Sequence, residues 1–90
     1  MKKIFPSSQY KKDYKRIRHH PQKLIALGKV IDMLANEKPI PVEYFPHKLH
    51  GNYKGCMECH IDGDFLPIWV DEVNNVIELV RLGSHSELFG

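Results

Sequence analysis

The sequence predicts an α+β fold, with an N-terminal helical hairpin packed on one face of a small antiparallel β-sheet. Three observations carry this. Apolar residues recur at helical spacing through the first 35 positions. The stretch "NEKPIPVEYFPHKLHGNYKG", with three prolines, then breaks that period. Beyond it, runs rich in strand-forming residues alternate with Asp-Gly and Asn-Asn turn signals. Residues 1–90 are expected to form one domain, since a chain of this length can sustain a modest core.

"KKIF" reads as a short edge strand. Ser7 or Ser8 can cap a helix, because a serine oxygen accepts from the free N–H groups of the first turn. Tyr10, Tyr14 and Ile17 then form one apolar stripe at i, i+4, i+7. Pro21 disfavours helix at His20 and suits the first turn of a second helix. Leu24, Leu27, Ile31 and Leu34 are its stripe, widened by Ile25, Val30 and Met33. Gly28 is expected to admit the close approach of another element. "CMECHID", "FLPIWVDE" and "VIELVRL" read as three strands of a meander. Asp62-Gly63 and Asn74-Asn75 supply the turns. Pro67 cannot donate to a ladder, so it marks an edge or a bulge. "GSHSELFG" reads as a short tail. One sheet face takes the helices and the other is left to carry a site.

The segment "GCMECHIDGD" contains C-x-x-C-H, the attachment signature of c-type haem. Cys56, Cys59, His60 and one of His47, His50 or His85 could also supply four zinc ligands. Strand geometry disfavours both readings. Alternation puts Met57, Cys59 and Ile61 on one face and Cys56, Glu58, His60 and Asp62 on the other. Two cysteines on opposite faces cannot share one metal, and Cys59 is best read as a small core residue. No metal and no cofactor are expected.

Net charge is +2, unevenly spread. Residues 1–30 hold nine Lys/Arg and one acid, Asp13, whereas residues 31–90 hold four bases and ten acids. A basic half suggests a polyanionic partner such as nucleic acid. The longest apolar runs are only a few residues, which excludes a spanning helix, since that needs about 20. Polar residues follow Pro6 where the apolar part of a leader would stand, so a cytoplasmic protein with no membrane partner is expected.

The second half concentrates His47, His50, His60, Asp64, Arg81 and His85. Imidazole exchanges protons near neutral pH. Arginine grips phosphate with a planar fork of donors. Histidines, a carboxylate and an arginine on a basic fold are the components of metal-free RNA cleavage. A base takes the ribose 2′-OH proton, an acid protonates the leaving 5′-oxygen, and cations hold the charge on phosphorus.

Three motifs sharpen this reading: H-x-L-x-G-x-aromatic-K-G at 47–55, C-H-I-x-x-D at 59–64, and R-L-G-S-H-S-x-L-F at 81–89. Together they resemble the YafQ-type branch of the RelE toxin superfamily, ribosome-dependent mRNA endonucleases of bacterial toxin–antitoxin pairs. The resemblance implies a RelE-like fold and catalytic roles for His47, His60, Asp64 and His85. It implies substrate contacts by Arg81 and Phe89, to which the basic Lys54 of the first motif is added. It also implies mRNA in the ribosomal A site as substrate and a small antitoxin as partner, with operator DNA bound only through the toxin–antitoxin complex. His85 is expected as general acid and Asp64 as base, with His47 and His60 orienting groups or stabilising charge. Lys11, Lys12, Lys15 and Arg16 flank the first apolar stripe and are expected to face solvent and dock on ribosomal RNA. The rival readings are a non-catalytic inhibitor on the same fold, like the gyrase-poisoning ParE relatives, and a small zinc or haem protein.

Overall fold

The structure, a computed structural model, describes residues 1–72 and 74–90. Its elements run β1 (Lys3–Pro6), α1 (Ser8–Ile17), α2 (Pro21–Ala35), β2 (His47–Lys48), β3 (Met57–Glu58), β4 (Phe65–Glu72), β5 (Val76–Ser84) and α3 (His85–Phe89). The sheet has the order β1-β5-β4-β3-β2. The α+β class stands, with one refinement: β1 pairs in parallel with β5, so the sheet is mixed rather than antiparallel.

That parallel pair positions α1. β1 covers β5 only from Val76 to Leu79, leaving the edge beyond Leu79 open. The chain leaves β1 at Ser7, whose N–H donates to the Leu79 carbonyl and whose hydroxyl donates to that of Val80. The same Ser7 oxygen accepts from the Tyr10 N–H and caps α1. One serine thus ties the start of the helix to the free edge of the strand.

Tyr10, Ile17, Leu27 and Val30 from the helices bury with Cys59, Ile61, Phe65, Trp69, Ile77, Leu79 and Leu82 from the sheet. Two expectations about the helices are corrected. Tyr14 is 40% exposed, and Asp13, at 1%, takes the inner position of the stripe. Ile25 is exposed, and nothing lies within 4 Å of a Cβ built on Gly28, so no element packs closely there. On the opposite face a second cluster forms from Cys56, Leu66, Ile68 and Leu88.

The two cysteines lie in different clusters on opposite sides of the sheet, as alternation requires. Burial, and then the neighbouring Glu58 charge, push the Cys59 thiol up to about 12. Cys59 therefore stays a protonated core residue.

Pro67 is buried in β4, between two neighbouring strands. Continuing the register of β3 would set Cys59 opposite Pro67, and the ladder stops one pair earlier, at Glu58–Ile68. Across the strand, the pairing with β5 shifts between Ile68 and Trp69 and leaves Val80 as the extra residue. The bulge expected near this proline is present. The predicted tail is corrected to a helix. Ser84 and Glu87 form a capping box at the start of α3, with the Ser84 N–H donating to Glu87 Oε1 at 2.7 Å.

Candidate active site

Strand register assembles the site. His47 lies opposite Glu58, Glu58 opposite Ile68, and Ile68 opposite Arg81. Directly paired residues point to the same face, so His47, Glu58 and Arg81 share one row across four strands. Ile68 is the apolar spacer. At ~4.8 Å per strand the row spans roughly 14 Å. His60 follows Glu58 by two residues and joins the same face.

At one end of the row two histidines flank a buried carboxylate. Glu58 is 2% exposed. Its Oε1 lies 2.9 Å from His47 Nε2 and 3.6 Å from His60 Nε2. His47 Nδ1 lies 2.7 Å from the Phe45 carbonyl. Both ring nitrogens of His47 therefore face oxygens. The two imidazoles lie 6.3 Å apart at 30°. Glu58 Oε2 is buried without a hydrogen-bond partner among the described residues.

At the other end Arg81 is held by Asp13. Its Nε donates to Asp13 Oδ2 at 2.8 Å and its Nη2 to Oδ1 at 3.4 Å. Nη1 reaches the Tyr53 hydroxyl at 3.2 Å. Asp13 also accepts from the Leu82 N–H at 3.0 Å, taking the place of the neighbouring strand that this edge of β5 lacks. Burial opposes the Asp13 charge, but the hydrogen bonds from Arg81, Leu82, Gln9 and Arg16 outweigh it and hold the carboxyl below its ordinary range. The Arg81 fork is partly committed within the protein. Three of its five N–H groups are engaged, and two η N–H groups remain for a phosphate.

α3 brings the third part. Gly83 allows it to fold back: a Cβ there would meet Glu87 Oε1 at 3.0 Å and Leu88 Cδ2 at 3.5 Å. Leu88 buries in the second cluster, while His85 and Phe89 are exposed with ring centroids 4.7 Å apart. Phe89 also meets Tyr53 edge-on at 5.6 Å. Phe65 pairs with Ser84, so Asp64 and His85 each stand one residue beyond the last pair of the β4–β5 ladder. Asp64 has no hydrogen bond or ion pair among the described residues; it lines a cleft with Arg16, His20, Lys23, Ser84 and Glu87.

His47 and His60 are thus brought together, as are Arg81, Phe89 and His85, with Asp64 beside the base of α3. Lys54 is exposed at the end of the turn Gly51–Tyr53. Lys11, Lys12 and Lys15 are exposed as expected. Arg16 is exposed too and is also paired: its Nη2 lies 2.5 Å from Asp13 Oδ1 and its Nη1 3.5 Å from Glu87 Oε2, so it ties α1 to α3. Sequence reasoning passed over Asp13, Tyr53 and the role of Glu58. The polar parity of Glu58 with His60 was the available signal for the last. Among the described residues no group of three or more His, Cys, Asp or Glu is arranged to hold a metal ion.

Known proteins are similar to the chain in sequence and in fold. Residues 2–90 match the family described as "Bacterial toxin of type II toxin-antitoxin system, YafQ". The mRNA interferase toxin YafQ of Escherichia coli K12 is 31% identical over 85 residues, covering 93% of this chain and 91% of that protein. A metal-bound toxin from Helicobacter pylori is 40% identical, with a TM-score of 0.88 over 99% of this chain and all of the other. YafQ in the E. coli DinJ–YafQ complex is 27% identical, with a TM-score of 0.86 over the whole of both chains. The chain belongs to the YafQ family of bacterial type II toxin–antitoxin toxins.

Proposed function

We propose that the chain is an endoribonuclease that cleaves translated mRNA on the ribosome and thereby stops translation. The carrying observation is the row His47–Glu58–Ile68–Arg81, with His85 and Phe89 delivered to its Arg81 end by α3. The reaction is transesterification. Asp64 takes the proton of the ribose 2′-OH, and the 2′-oxygen attacks the adjacent phosphorus. His85 protonates the departing 5′-oxygen, leaving a 2′,3′-cyclic phosphate and a 5′-hydroxyl. Arg81, through its two remaining N–H groups, stabilises the charge on the phosphorane, and the His47 and His60 imidazoles, at the far end of the row, orient the RNA strand or stabilise its charge. Lys54 and Phe89 contact the RNA strand. The similarity to the E. coli mRNA interferase toxin YafQ supports this reading.

These side chains supply the proton transfers, so no metal is needed. The metal-bound H. pylori toxin makes a direct test worthwhile. Protein stripped with a chelator, checked by elemental analysis and added to magnesium-containing programmed ribosomes should cleave at the untreated rate. Its products should carry 2′,3′-cyclic phosphate. Activity lost on stripping and regained with a transition metal would end the metal-free mechanism.

The DinJ–YafQ complex supports a small antitoxin as partner here too, with operator DNA reached only through that complex. No described helix is long and apolar enough to cross a membrane. A substrate on the ribosome places the work in the cytoplasm. Lys11, Lys12, Lys15 and the exposed Arg16 dock on ribosomal RNA. A Lys11/Lys12/Lys15→Glu variant should bind ribosomes more weakly, with a salt slope shallower by roughly 0.7–0.9 per lost phosphate contact. Its cleavage rate at saturating ribosome should hold. Salt titration of ribosome binding checks this, and an unchanged slope would remove the lysines from docking.

A further inference from the structure

Phe45 takes no part in the fold, yet its backbone is held in place. Its ring is 68% exposed. Isolated exposed apolar residues are common and need no explanation. This one has unusual backbone, at φ 52° and ψ 54° in the left-handed region, which costs conformational energy in a residue with a side chain. Pro46 follows, and a proline normally drives the residue before it to extended backbone. Strain of this kind persists only where the surroundings enforce it, and it concentrates at functional sites.

The catalytic histidines are part of what enforces it. The Phe45 N–H donates to the Val42 carbonyl at 3.0 Å. The Tyr44 carbonyl accepts from the His60 N–H at 2.6 Å, and the Phe45 carbonyl faces His47 Nδ1 at 2.7 Å. The Phe45 ring stands edge-on to His60, with centroids 6.2 Å apart at 76°. It borders an open cavity of about 410 Å³ lined also by Glu43, Tyr44, His60 and Asp62. The Phe45 backbone is therefore held beside His47 and His60 by hydrogen bonds that those two residues themselves make, and the ring stands next to His60. At the far end of the row Phe89, 40% exposed, lies beside His85. Two exposed phenylalanines thus bracket the histidines and Arg81.

We propose that Phe45 is a stacking platform for a nucleobase of single-stranded RNA, forming a nucleotide subsite on the His47/His60 side of the scissile phosphate. Unpaired bases stack on aromatic faces, and the contact tolerates any base because each has a π-face. This inference rests on the ribonuclease reading above. An exposed ring could instead be covered by a protein partner. RNA is favoured because the backbone that carries the ring is anchored to the histidines proposed to act on the RNA strand.

The test pairs deletion of the ring with deletion of the base. Cleavage is measured on ribosomes programmed with mRNA carrying an abasic residue at each position, in turn, of the A-site codon and its two neighbours. In wild type, one abasic position flanking the cleavage point should lower kcat/KM by roughly 5- to 100-fold. Phe45→Ala and Phe45→Leu should show a similar loss on intact mRNA and little further loss at that position. Phe45→Trp should behave as wild type. The leucine variant keeps the apolar contact, so a merely structural role would leave it active. If Phe45→Ala and Phe45→Leu cleave intact mRNA as wild type does, the subsite is overturned and the ribonuclease reading stands. Normal cleavage with lost antitoxin binding would overturn it in favour of a protein contact. Wild-type protein that cleaves no ribosome-bound mRNA would overturn both.

Discussion

His85→Ala should lower the single-turnover rate of mRNA cleavage on programmed ribosomes by about 10²- to 10⁴-fold, the usual cost of losing a general acid. His85 is suited to that role by position. It is the first residue of α3, directly after the Ser84 cap, and stands beside Asp64 at the end of the β4–β5 ladder. Its exposed ring packs against Phe89 and forms no hydrogen bond or ion pair among the described residues. The variant should therefore keep its melting temperature, because the capping box and the Leu88 anchor remain. His50→Ala is the matched control. His50 is also exposed and lies outside the row and outside α3, so its loss should change the rate little. Equal and small effects of the two substitutions would remove His85 from the chemistry. A large drop in melting temperature for His85→Ala would instead assign its effect to packing of α3.

The sequence displayed most of the strands because alternation and turn residues are local signals. It placed Cys59 in the core and Cys56 on the other face, since both follow from parity in an extended chain. It placed Asp62-Gly63 at a turn, and both residues adopt positive φ, at 45° and 74°. What it hid depends on pairings distant in the chain. β1 joins β5 across more than seventy residues, and no local pattern chooses parallel over antiparallel there. The first helix offered two stripes with equal spacing, through Tyr14 or through Asp13. Hydrophobicity favours tyrosine, and only the unpaired edge of β5 explains why a carboxylate lies inside. The C-terminal helix was legible, since Ser84 and Glu87 have capping-box spacing; its short length made it read as a tail. Of the site, the histidines, Asp64 and Arg81 were legible as residue types. The row that orders His47, Glu58 and Arg81 required the register.

Asp13→Ala should be among the most destabilising single changes in the molecule. The carboxylate is 1% exposed and accepts from Arg81, the Leu82 N–H, Arg16 and Gln9. Removing it leaves a backbone N–H without its acceptor and a guanidinium without its counter-charge. Breaking a buried pair from one side costs about 3–5 kcal/mol, and the lower figure applies because Arg81 is partly exposed. At about 4–8 °C per kcal/mol for a domain of this size, the melting temperature should fall by more than about 10 °C. Asp13→Asn retains the shape and one acceptor, so it should fall less and remain measurable. The pH dependence has a defined sign. The folded carboxyl lies below its ordinary range, so its stabilisation is complete above the unfolded value near 3.9 and is lost as pH falls through the folded value. The gap in melting temperature between wild type and Asp13→Asn should be constant above about pH 5 and should narrow below about pH 4. The same carboxylate fixes which edge of Arg81 faces the RNA, so cleavage by Asp13→Asn at a temperature where it is folded should also drop. A double-mutant cycle separates the two roles. Asp13→Asn should slow cleavage in the wild-type background and much less in Arg81→Ala, because the group it positions is already gone. Additive losses would show that Asp13 supports the fold alone, and a gap in melting temperature that widens in acid would show that its charge is not what stabilises the helix against the sheet.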